Sequence, residues 1–123
     1  MEKEEKFPFE NTELYKRSLN LARLCRKICN MLPKGYFSDA DQLRRASLSV
    51  CNNFAEGYGR WHVKDKRQFY SIARGSAYEC VPMITLLHEE KFIKDDQLKI
   101  IRSHVGEVTK MLSGMIQGLE KRK

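Results

Sequence analysis

The chain has 123 residues, 41% of them hydrophobic and 32% charged, with a formal net charge of +7. That length suits one domain able to bury its own core, and the composition excludes a disordered tract, a collagen-like repeat and a disulfide-built scaffold. No apolar run approaches the ~20 residues of a membrane span, and the opening MEKEEKFPFE lacks an apolar signal core, so a soluble, cytoplasmic protein is expected.

Four helical segments follow one another, and no stretch shows the two-residue alternation of a strand. The first is predicted from about Thr12 to Leu32. Leu14, Ser18, Leu21, Cys25, Ile28 and Leu32 recur at alternating steps of four and three, which places them on one face. Asn11 or Thr12 can cap its start, and Pro33 with Gly35 ends it.

The second helix is predicted over 39–56, with Ser38 and Asp41 as a capping box and Leu43, Ala46, Val50 and Phe54 as its stripe. Gly57 and Gly59 are expected to stop it. The third is predicted over 66–88, capped by Asp65, with Phe69, Ile72, Ser76, Cys80, Met83 and Leu87 facing inward. Pro82 lies inside it and removes one backbone donor, so a kink without a break is expected there.

The fourth helix is predicted over 97–119, capped by Asp95 or Asp96. Leu98, Ile101, Val105, Val108, Leu112, Met115 and Leu119 repeat with a seven-residue period, which suits a left-handed bundle seam. Short connections force neighbours to run antiparallel. The fold class expected is therefore all-α, a single-domain up-and-down antiparallel four-helix bundle.

Catalysis has little support. His62, His88 and His104 are scattered, and no metalloprotease, di-iron or phosphate-loop motif is present. Cys25, Cys29, Cys51 and Cys80 form no CxxC pair and read as small buried thiols. No enzyme activity, metal or cofactor is expected.

The basic segments say more. Between residues 57 and 74, Arg60, Lys64, Lys66, Arg67 and Arg74 face a single acid, Asp65, and are interleaved with Tyr58, Trp61 and Tyr70. Cations mixed with aromatics suit phosphate contact with base stacking. Lys16, Arg23 and Lys27 form an outward basic stripe on the first helix. Together Lys16, Arg23, Lys27, Arg60, Lys64, Lys66 and Arg67 are the candidate nucleic-acid contacts. A second polar set, Arg45, Asn53, Glu56, Arg74, Ser76 and Glu79, is expected to face inward between the second and third helices as a structural salt-bridge network.

Three motifs, QLRRA (42–46), NFAEGYGR (53–60) and F-x-x-I-A-R-G-S-x-x-E (69–79), carry a family resemblance. The chain resembles the four-helix-bundle proteins encoded by intervening sequences of bacterial large-subunit rRNA genes. It is also similar to Avd, the accessory protein of diversity-generating retroelements. Cys51 stands where that family commonly has Pro, and Pro82 where it usually has none. The resemblance implies a ring-like homo-oligomer, expected to be a pentamer. It also implies RNA or DNA as a partner, and a reverse transcriptase if the gene sits in a retroelement. The function expected is a non-catalytic basic binding module for nucleic acid. The alternative is a protein-interaction scaffold or accessory subunit with no nucleic-acid role.

Overall fold

A computed structural model describes residues 5–121. A short 3-10 turn, Pro8–Asn11, precedes four α-helices: α1 (Glu13–Met31), α2 (Phe37–Gly59), α3 (Val63–Glu89) and α4 (Asp95–Glu120). Among the described residues there is no strand. Each helix packs on its neighbour in sequence, and α4 returns to α1. The connections, residues 32–36, 60–62 and 90–94, are too short to cross the bundle, so successive helices run antiparallel.

The helix boundaries follow from local hydrogen bonding. Thr12 caps α1, its Oγ1 accepting from the Tyr15 amide at 3.1 Å. Gly35 sits in the turn before α2 with φ +102, a conformation open to glycine and costly for other residues. α2 begins two residues ahead of Asp39 with no side-chain cap, so the Ser38–Asp41 box does not form. α3 begins at Val63, three residues ahead of Lys66. Asp65 therefore lies in its first turn, where a negative charge favours the helix dipole, and does not cap it. α4 begins at Asp95 behind Lys94, whose amide donates to the Gln97 side chain at 2.9 Å. α3 continues through the exposed Pro82.

The core faces of three helices match their stripes. Leu14, Ser18, Leu21, Cys25 and Ile28 are buried in α1, and Leu43, Ala46, Val50 and Phe54 in α2. Ile101, Val105, Val108, Leu112 and Leu119 are buried in α4. Ser18 is accommodated because its hydroxyl donates to the Leu14 carbonyl at 2.8 Å. In α3 the predicted stripe is corrected. The buried face is Tyr70, Ala73, Ala77, Cys80, Ile84 and Leu87, and Ile72 is 44% exposed. Alanines turn inward there because they let α3 approach α2 closely, and the bulkier Phe69, Ser76 and Met83 sit at the edge of the seam.

Gly57 does not terminate α2, which runs on to Gly59, its last residue. A Cβ at Gly57 would come within 2.8 Å of Tyr70 Cε1 and 2.9 Å of Phe69 Cβ. Glycine is needed there by the approach of α3. Gly106 on α4 has open space around the same position. Replacing Gly57 with Ala should therefore destabilise the fold by ~1–3 kcal/mol through overpacking. Gly106→Ala should instead stabilise it by up to ~1 kcal/mol through helix propensity. Urea unfolding of the two variants checks both signs.

Candidate nucleic-acid interface

One group of cations runs along α1 to the start of α2, and a second lies at the end of the bundle where α1 begins. Lys16, Arg23 and Lys27 are exposed on α1 at helical spacing, as the sequence predicts. The structure adds Arg26, also exposed, and Arg44 from α2, half-buried. Arg44 donates to the Asn30 side chain at 3.0 Å across the two helices, and Arg23 donates to Asn20 at 2.9 Å. Arg44 and Arg26 both act electrostatically on Cys29, and Arg23 acts on Cys51. Arginines thus flank the α1–α2 seam from both helices. Toward the start of α1, Lys16 and Arg23 border a shallow cleft of about 360 Å³ shared with Tyr15, Leu19 and Asn20.

The second group surrounds the α2–α3 loop. Phe9 packs edge-on to Tyr15 of α1 and Tyr58 of α2, with centroids 5.1 and 6.4 Å apart, so this loop lies at the same end as the start of α1. Of the predicted contacts here, Lys64 is exposed and Arg67 half-buried. Neither makes an ion pair among the described residues. Arg60 and Lys66 are structural. Arg60 pairs with Glu56 at 3.1 Å and lies over the Phe69 ring at 4.8 Å. Lys66 Nζ donates to the Gly57 and Tyr58 carbonyls at 3.2 and 2.7 Å, closing the C-terminal end of α2.

The interleaved aromatics divide. Tyr70 is buried and stacked on Phe54 at 5.8 Å, and Tyr58 tilts against the same Phe54 ring. Trp61 is 94% exposed.

The expected inward network of Arg45, Asn53, Glu56, Arg74, Ser76 and Glu79 separates into independent contacts. Asn53 Nδ2 donates to Ser49 Oγ at 2.9 Å, and that hydroxyl pairs with Ser76 at 2.8 Å, bridging α2 and α3. Arg74 turns the other way and donates to Ser113 of α4 at 2.8 Å. Arg45 is exposed and bound to Asp41 one turn earlier at 2.9 Å, and Glu56 and Glu79 are exposed. The half-buried arginine of α2 is Arg44, which meets α1 and lies one position and a 100° rotation away from Arg45.

The remaining reactive groups lie in the core. The Cys25 thiol is held far above the ordinary thiol range, first by its hydrogen bond with Cys80 and then by burial. Burial pushes Cys51 up to about 11 and also raises Cys29. Burial lowers His104, with Arg17 adding to the effect. No group of three or more His, Cys, Asp or Glu able to hold a metal occurs among the described residues. None of the helices there is long and apolar enough to cross a membrane.

The model of the 23S rRNA-intervening sequence protein family matches residues 10–114. The chain belongs to this family. A crystal structure of a protein with unknown function, from the S23 ribosomal protein family of Bacteroides thetaiotaomicron, superposes with a TM-score of 0.77. The two are 23% identical, over 84% of this chain and 97% of that one, so this likeness concerns the fold. No curated protein matches.

All four cysteines are buried, and the thiols of Cys25, Cys29 and Cys51 are also raised, so all four should alkylate slowly in the native chain at pH 8 and quickly in urea. Rapid stoichiometric labelling of the folded chain would contradict this placement.

Proposed function

We propose that the chain is a non-catalytic module that binds nucleic acid along the α1–α2 face and the adjoining α2–α3 loop. The observation that carries this reading is the exposed basic stripe of α1, Lys16, Arg23, Arg26 and Lys27, with Arg44 of α2 beside it, none of which is ion-paired among the described residues. A polyanion whose phosphates follow such a track releases condensed counterions, and a net charge of +7 adds a long-range attraction.

A ring of copies, five as the resemblance implies, would repeat this basic face around an axis and multiply weak phosphate contacts. Ile72 and Leu86 on the outer side of α3, 44% and 58% exposed, supply apolar surface for such packing. The scaffold reading draws on the same two side chains and needs no cations. Light scattering separates the assemblies: a ring of five has five times the 14.5 kDa mass of the chain, and a species of 14.5 kDa contradicts the ring.

Log affinity should fall linearly with log salt, by roughly 0.9 for each duplex phosphate contacted and roughly 0.7 for each single-stranded one. The triple variant Arg23→Glu, Lys27→Glu, Lys64→Glu should bind at least about tenfold more weakly and with a shallower salt slope. Charge reversal at Arg102 and Lys110 on α4 should change affinity far less. Salt-independent binding, or equal losses from both sets, would overturn the assignment.

A further inference from the structure

Trp61 is the one tryptophan of the chain, and it projects almost wholly into solvent, 94% exposed, from the three-residue α2–α3 loop. No ring stacks on it among the described residues. It is not loose, because the backbone on either side is held. The Arg60 amide donates to the Gly57 carbonyl at 3.2 Å. The Arg60 side chain is fixed by Glu56 and Phe69. Lys66 ties the end of α2 to the first turn of α3 through two carbonyls. A ring presented this way loses little further freedom when a partner covers it.

The surroundings decide the partner. A tryptophan that anchors a protein interface sits at the centre of an apolar patch depleted of charge. Trp61 instead stands between exposed Arg60, His62 and Lys64, with Arg67 one turn into α3. An exposed aromatic face with Lys64 and Arg67 within six residues of it, neither ion-paired among the described residues, suits an unpaired base, whose π-face stacks on the indole as its phosphates meet the charges. A base within a duplex has both faces covered by its neighbours.

We propose that Trp61 is a base-stacking platform, and that the nucleic acid bound by this chain is single-stranded at the α2–α3 loop. The inference rests on the nucleic-acid reading above and specifies its substrate. Tyr58 and Tyr70 take no part, since both pack against Phe54.

Because Trp61 is the only indole, intrinsic fluorescence of the full chain reads the site directly. The probes are a mixed-sequence single-stranded RNA and the RNA duplex of the same length. Single-stranded RNA should quench the emission and duplex RNA should not. Trp61→Ala should weaken single-strand affinity by roughly tenfold or more, with duplex affinity little changed. Trp61→Phe should retain most of it. The side chain is exposed, so unchanged helical circular dichroism is expected for both variants. Salt-dependent RNA binding without quenching, or undiminished in Trp61→Ala, would overturn the stacking platform and leave the proposed function standing. Absence of binding to either RNA form would overturn the proposed function together with this inference.

Discussion

The close approach of α3 to α2 is the constraint from which the rest of the molecule follows. Gly57 leaves room for the Tyr70 ring, which lies against the buried Phe54 near the α2–α3 end of the bundle. Ala46, Ala73 and Ala77 line the same seam, and the Ser49–Ser76 hydroxyl pair crosses it. Small residues at this seam leave room for α3 to come close to α2 at Gly57, and a three-residue loop joins the two helices. A loop that short has no slack to fold its own residues inward.

Much of this architecture was legible in the sequence. The seven-residue repeat of α4 and the alternating stripe of α1 placed both core faces correctly, because large apolar residues there coincide with the buried side. In α3 the coincidence fails. Phe69, Ile72 and Met83 outweigh Ala73 and Ala77 in any reading that ranks residues by size, yet the seam selects the small ones. In α2 a one-residue rotation makes Arg44, and not Arg45, the half-buried arginine, and it meets α1. Glycine was ambiguous for a related reason. Gly57 reads as a helix stop unless one knows that another helix presses on it.

Charge was legible as a total and less so as a distribution. The outward stripe of Lys16, Arg23 and Lys27 followed from helical spacing alone. Arg44 could not be assigned to that surface without knowing that α2 lies beside α1. Near the α2–α3 loop, four cations looked equivalent in sequence. Two of them, Arg60 and Lys66, hold the loop in shape by neutralising a carboxylate and closing a helix end. They build the site that Lys64 and Trp61 present, a division of labour set by neighbours distant in sequence.

The central claim is that one surface, running from the α1–α2 seam to the α2–α3 loop, receives a single-stranded polyanion. Nuclear magnetic resonance mapping of the arginine, lysine and indole side chains during titration with single-stranded RNA tests it most directly. Shifts should concentrate at Arg23, Arg26, Lys27, Arg44, Trp61 and Lys64, with Arg102 and Lys110 unmoved. Shifts confined to the α3–α4 side, or none at saturating RNA, would contradict it.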